Sequence, residues 1–357
     1  MTGFMIGDLD AWGVGRHQIC YNSGQMSLPR IAQMKKILTL ASATALLLAG
    51  AGCHVHFDLL GKDRMEEVTL VSSRSQDKIL LLDVSGIIGV MSDPGLLPNR
   101  EGNILSQVYH RLDRALDDRH VKGIILRLDT PGGEVTASDV LYNEIRNFRS
   151  KTGLPVVALM MGLATSGGYY VASACDTIIA HPSTITGSIG VISIFPNLEE
   201  LFGKVGVKMN VIKSGRMKDA GSPFREMNEE EKSVFQDIID GFHDRFLQVV
   251  LEGRREKVSM DRLRALADGR IYTAAQAQES GLIDTVGYFN DAYKRACVLA
   301  GLPQAKVIAY TYYPKAMTNI YASRLDSTFS LEGRELQKLV QTLKSGFYYL
   351  WIPQLSP

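Results

Sequence analysis

The chain has 357 residues, a formal net charge of +1 and four cysteines. Charge so near balance gives no sign of a nucleic-acid surface or an acidic tail. Cys20, Cys53, Cys175 and Cys297 lack metal-ligand spacing, and no CxxC or HExxH occurs, so neither a zinc site nor a thiol redox motif is indicated. The length suits one large α/β domain with appendages.

Residues 1–33 are mixed and polar and read as an over-long gene start. A second start at Met34 precedes Lys35 and Lys36, then a largely apolar run from Ile37 to Leu48, then small residues before Cys53. This is the order of an export signal. The run is short of the ~20 apolar residues of a comfortable transmembrane helix. Cys53 directly after the small residues resembles the lipid-attachment cysteine of a bacterial lipoprotein signal, although Gly50 stands where Leu is usual. An uncleaved anchor is the alternative. Either way residues 34–53 hold the exported part at a membrane, and residues 54–76 read as a linker.

The run Lys78–Val84 predicts a buried strand, with Gly86 and Gly89 punctuating its continuation. Asn103–Asp118 has helical period with Asn103 as its cap. Val121–Leu128 is a second buried strand and runs into the turn residues Asp129-Thr130-Pro131-Gly132-Gly133. Ala137–Phe148 predicts a helix, Leu154–Met160 a strand, Ser166–Ala174 a helix and Thr177–Ala180 a short strand. This alternation argues for an α/β domain with a largely parallel sheet. Glu226–Glu252 predicts the longest helix, started by Asn228 and three glutamates. Thr273–Ser280 predicts a short helix closed by Gly281. The aromatic tail from Gly346 to Pro353 reads as a docking segment on the domain or a neighbouring subunit, or as an interfacial membrane contact.

Two turns can carry chemistry. Ser166 follows a buried strand, opens a helix and precedes Gly167 and Gly168, which is the logic of a nucleophile elbow without its GxSxG spacing. A serine capping a helix would look the same. Gly132 and Gly133 let backbone N–H groups face a ligand closely, as an oxyanion hole requires. No histidine sits in a comparable context. A lysine can act as a base when burial lowers its pKa, and Lys213 and Lys218 are both candidates.

Five stretches occur in an order that resembles the signal peptide peptidase A family in its short single-repeat form. They are Asp129–Gly133 (DTPGG), Thr165–Tyr170 (TSGGYY), Thr186–Val191 (TGSIGV), Lys213–Arg225 (KSGRMKDAGSPFR) and Gly269–Asp284 (GRIYTAAQAQESGLID). The resemblance implies a ClpP/crotonase-like spiral of β-β-α units, with a protease domain over residues 77–300 and a C-terminal extension over 301–357. It implies Ser166 as nucleophile and Lys218 as general base. Ser188 would orient the lysine, and Gly167 with Gly133, or less directly Gly132, would supply the oxyanion N–H groups. No cofactor or metal is implied. The implied substrates are cleaved signal peptides, the implied location is the exported face of a cell membrane, and the implied assembly is a homo-oligomer in which Ser and Lys can come from neighbouring subunits. An NfeD-like membrane serine protease, a crotonase-type acyl-CoA enzyme and a non-catalytic scaffold are the competing readings.

Overall fold

A computed structural model describes residues 65–89, 102–312, 314–322 and 346–351. Residues 1–33, the signal of residues 34–53 with Cys53, and residues 54–64 of the linker lie outside the described residues.

In chain order the strands are β1 (Glu66–Val71), β2 (Lys78–Ser85), β3 (Val121–Thr130), β4 (Gly132–Glu134), β5 (Val156–Thr165), β6 (Thr177–Ala180), β7 (Ile185–Gly187), β8 (Ile192–Ile194), β9 (Ile271–Thr273), β10 (Thr285–Val286), β11 (Lys306–Thr311) and β12 (Gly346–Leu350). The helices are α1 (Ile104–Leu116), α2 (Val135–Thr152), α3 (Gly167–Ala172), α4 (Glu199–Lys204), α5 (Glu229–Arg254), α6 (Met260–Leu266), α7 (Ala274–Glu279) and α8 (Phe289–Leu299). The predicted helix starts are met by real caps. The Asn103 side chain accepts from the Ser106 N–H at 3.0 Å. Asn228 and Glu231 form a reciprocal capping box at the start of α5, which satisfies two N–H groups that the helix itself cannot.

The main sheet runs β1-β11-β2-β3-β5-β6-β10, with β7 pairing with β5 and β9 with β7. Pairing is parallel from β11 to β10 and antiparallel for β1–β11 and β7–β9. The central strands read as unbroken apolar runs because both faces are covered. Leu80, Leu82, Ile124, Leu126, Ala158 and Met160 share a core with residues of α2, α3 and α5. Their neighbours Ile79, Leu81, Ile125, Val157 and Leu159 share the opposite core with α8. The period-two alternation of the strands divides one apolar run between two cores.

A second, three-stranded sheet has the order β4-β12-β8, antiparallel throughout. The fold is therefore mixed α/β with two sheets, and the implied ClpP/crotonase-like spiral of β-β-α units is not what the chain forms. A spiral adds strands unit by unit, in chain order. Here β11 inserts beside β2 and takes β1 as an antiparallel partner, and β1 and β10 stand at the two ends of an open sheet. The small sheet joins three segments far apart in the chain. These long-range pairings follow from which strand edges remain to be covered, and short motifs do not encode that.

The aromatic tail does dock on the domain. Tyr349 is fully buried, stacks on Tyr170 with ring centroids 5.0 Å apart, and donates its hydroxyl to the Phe242 carbonyl at 2.8 Å.

Candidate active site

The candidate residues gather where β3 and β5 end at the carboxyl edge of the sheet, the usual place for a site in a parallel α/β sheet. The turn after β3 holds Gly132 at φ +97. A Cβ on Gly132 would lie 2.0 Å from the Tyr349 carbonyl oxygen and 2.6 Å from the Gly167 nitrogen. A Cβ on Gly133 would lie 1.9 Å from the Ile88 carbonyl oxygen, and one on Gly167 would lie 3.2 Å from the Gly133 nitrogen. Three backbones thus approach more closely than any side chain allows, which is why these positions are glycine. The Gly132 N–H donates to Thr130 Oγ1 at 3.0 Å, so within the pair Gly132 already has a partner inside its turn.

Ser166 follows β5 directly. Its backbone sits at φ 51, ψ −113, a region that L-residues with a side chain rarely enter. Its N–H donates to the Gly187 carbonyl at 2.7 Å and its carbonyl accepts from the Tyr170 N–H at 2.9 Å. The rest of the TSGGYY segment locks this turn from behind. Gly168 lies against Thr130, where a Cβ would come within 2.7 Å of Cγ2. The Tyr169 hydroxyl donates to the Leu282 carbonyl at 2.7 Å, and that of Tyr170 donates to Asp139 at 2.5 Å. Burial, then the Asp139 carboxylate, raises the Tyr170 pKa, so this hydroxyl stays a donor.

Ser188 is also buried and also has a left-handed backbone, at φ 50. Its N–H donates to the Arg270 carbonyl at 2.8 Å. Gly187 before it has φ +82, and a Cβ there would lie 2.5 Å from the Tyr272 ring. The Gly269–Asp284 segment therefore acts as a buttress for Ser188. Its last residue, Asp284, accepts from the Ile178 N–H and from Arg254, tying it to β6 and α5.

The two lysines have different surroundings. Lys213 donates to the Arg216 carbonyl at 3.0 Å and to Asp219 at 2.6 Å. Asp219 also receives Arg225, which in turn reaches Glu231. Arg225 first, then Lys213, hold the Asp219 carboxyl well below the usual range. Lys213 is thereby part of an ion-pair network. Lys218 is exposed, and its ammonium forms no hydrogen bond or ion pair among the described residues. Within one chain the structure brings Ser166, Gly132, Gly133 and Gly167 together and stations Ser188 beside them through Gly187. Among the described residues no hydrogen bond joins Lys218 to either serine.

Sequence reasoning missed two walls of the glycine turn. Ile88 donates its N–H to the Gly132 carbonyl and accepts from the Glu134 N–H, both at 2.8 Å. Tyr349 covers the other side. Gly86 and Gly89 signalled a turn near Ile88, and the tail's aromatic run signalled docking, but neither signal carries an address. A cleft of about 1190 Å³ opens at the far, amino-terminal end of β6, lined by Arg149, Asp176, Arg254, Lys257 and Asp284 among others. No candidate residue lines it, and these five charges pair with one another, so it does not alter the assignment.

The model of peptidase family S49 matches residues 148–303, which include Ser166, Ser188 and Lys218. A protein of Enterococcus faecium that bears the SppA signal peptide peptidase name is 36% identical over 250 residues, covering 70% of this chain and 72% of that one. The chain belongs to peptidase family S49. This S49 peptidase is also 34% identical over 235 residues to Protease 4 of Haemophilus influenzae, covering 66% of this chain and 36% of that longer one. It is 29% identical over 253 residues to the chloroplastic serine protease SPPA of Arabidopsis thaliana, covering 71% of this chain and 37% of the plant protein. As an S49 member of the SppA group it is a serine protease that acts on peptide substrates.

Proposed function

We propose that this S49 peptidase is a membrane-anchored endopeptidase that degrades cleaved signal peptides, with Ser166 as nucleophile and Lys218 as general base. The observation that carries the reading is the Ser166 turn. A buried serine is held at a strained backbone angle beside Gly132, Gly133 and Gly167, whose backbones approach one another more closely than any side chain allows, and of these the Gly132 N–H is already taken by Thr130. Strain of this kind costs about 1–3 kcal/mol, and proteins retain it where it serves function.

The chemistry follows from the residue types. In its neutral form Lys218 takes the proton of the Ser166 hydroxyl as the Ser166 oxygen attacks the peptide carbonyl. The carbonyl electrons move onto oxygen, where the N–H groups of Gly133 and Gly167 stabilise them, a contribution of about 3 kcal/mol per donor. The Lys218 ammonium then protonates the leaving amine as the C–N bond breaks. Water, deprotonated by Lys218, hydrolyses the acyl-enzyme and frees Ser166. Ser188 accepts from or donates to the Lys218 amine and orients it.

Lys218 is exposed in one chain, so the dyad is completed by a second copy that contributes it. An apolar stretch just ahead of Lys218 supports this. Leu201, Val205, Val207, Met209, Val211 and Ile212 are all exposed, Ile212 completely, and such a strip favours contact with another surface. Tethering is supported by the signal pattern ending at Cys53, the proposed point of lipid attachment. Among the described residues no helix is long and apolar enough to cross a membrane.

The test uses a fluorophosphonate probe and two inactive variants. The wild-type protein should be labelled at Ser166, and Ser166→Ala and Lys218→Ala should each be inactive alone. Mixed and co-assembled, the two variants should regain peptidase activity, because one supplies Ser166 and the other Lys218. Labelling at another residue sinks the nucleophile, and failure of mixed assemblies to regain activity sinks the shared dyad.

A further inference from the structure

Three residues before the nucleophile, β3 and β5 fall out of register. Leu128 faces Met160 and Thr130 faces Ala164, so Asp129 alone stands opposite Met161, Gly162 and Leu163. At the same place β5 changes its other neighbour, from β6 at Met160 to β7 at Leu163. A bulge of this kind bends a strand, re-aims the residues beyond it and strips backbone groups of their ladder partners. Here side chains take over those groups. Asp129 Oδ1 accepts the Leu163 N–H at 3.0 Å. On the other side the buried Thr184 hydroxyl lies 3.1 Å from the Met160 carbonyl and within bonding reach of that of Met161.

We propose that Asp129 is a positioning residue, whose grip on the Leu163 N–H sets the bulge of β5 and hence the angle at which Ser166 enters the site. The inference rests on Ser166 being the nucleophile. Asp129 also begins the turn that carries Gly132 and Gly133. One carboxylate therefore links the strand end that presents the attacking oxygen to the turn that presents the oxyanion donors. Catalysis of this type tolerates little misplacement of either. Gly162 lies beside the same carboxylate, where a Cβ would meet Asp129 Oδ1 at 3.6 Å, an ordinary contact. Asp83 and Arg127 face the same carboxylate. Asp129 is exposed at the strand end, yet partial desolvation by the packed chain around it raises its pKa; the Leu163 N–H opposes that, Asp83 adds to it and Arg127 opposes it. An uncharged acceptor should therefore serve in its place, because the carboxylate's charge gains little here.

The test compares Asp129→Asn, which keeps a side-chain oxygen acceptor, with Asp129→Val, which has none. The rate of Ser166 labelling by a fluorophosphonate and the Tm are measured for each. Asp129→Val should label at least ~10-fold more slowly than wild type, about one decade of barrier, with its Tm lowered by only a few degrees. Asp129→Asn should recover most of the rate. Wild-type labelling by Asp129→Val, or equal slowness of the Asn and Val variants, overturns the positioning role. Absence of Ser166 labelling in the wild-type protein instead overturns the nucleophile on which it rests. Should Asp129→Val fail to fold, Thr184→Val and Thr184→Ser test the opposite clamp of the bulge. The valine should be slow and the serine should recover, and equal rates for the two overturn the proposal.

Discussion

The N–H of Ser166 donates to the carbonyl of Gly187, the residue before Ser188, at 2.7 Å. Among the described residues, Ser166 and Ser188 are the non-glycine positions with positive φ. One hydrogen bond thus joins the two strained turns of the molecule, and both are serines that the family motifs single out.

Strain at Ser166 gives a prediction in which stability and activity separate. Ser166→Gly relieves the left-handed backbone while adding freedom to the unfolded chain, two effects of about 1 kcal/mol that oppose each other. Tm should hold or rise by a few degrees, while peptide hydrolysis falls by at least ~10³-fold because the proposed nucleophile is gone. Calorimetry and a peptidase assay on the same sample check both halves. A variant that is inactive because it unfolds would contradict this.

The two lysines should respond in opposite ways. Lys213→Ala breaks the network through Asp219 and Arg225 and should lower Tm and increase proteolysis of the 213–225 turn. Lys218→Ala leaves that network intact and should keep the Tm while losing activity. A lysine base must release its proton before it can accept another, so kcat/KM of the wild-type enzyme should rise with pH. A profile flat from acid to neutral pH would exclude the lysine.

Acid stability should depend on Asp118. Burial opposes its charge, but hydrogen bonds from Lys78, the His120 backbone and Tyr310 outweigh burial and hold its pKa at about 2, against 3.8 ordinarily. A carboxylate with a depressed folded-state pKa contributes stability that is fully present above the unfolded value and lost as pH falls through the folded one. The Tm gap between wild type and Asp118→Asn should therefore be largest above pH ~4 and close as pH approaches ~2. Thermal melts across that window measure it, and a gap independent of pH would rule out the linkage.

The tail should matter for the site as well as for the core. Tyr349 is buried, and its strand pairs with Gly132–Glu134. Tyr349→Ala should cost about 3–5 kcal/mol, as large aromatic truncations do. Denaturant unfolding checks this. Activity per folded molecule should fall too, because β12 backs the turn proposed to supply the oxyanion donors. Full specific activity in the folded fraction would show the tail to be structural only.

Much of the local structure was legible in the chain. Apolar runs marked β2, β3 and β5, and Asn103 and Asn228 marked helix starts, because strand burial and capping depend on residues close in sequence. Gly132, Gly133 and Gly167 were legible as a site for a related reason: close backbone approach admits only glycine. Composition left Lys213 and Lys218 both open, and the family resemblance pointed to Lys218. That Asp219, held by Arg225, pairs with Lys213 and not with its neighbour Lys218 depends on how the 213–225 turn folds back, which composition does not encode.

What the sequence determined by itself was the central strands and main helices, the two glycine-bearing turns and the family motifs. Tertiary structure alone decided that these elements form two open sheets in place of a spiral, that the aromatic tail becomes the middle strand of the smaller one, and that Asp129 reaches across to β5. Each of those depends on pairing between segments far apart in the chain. Such pairing is settled by which edges and faces remain uncovered once the core has formed, a property of the whole fold that no short stretch of residues contains.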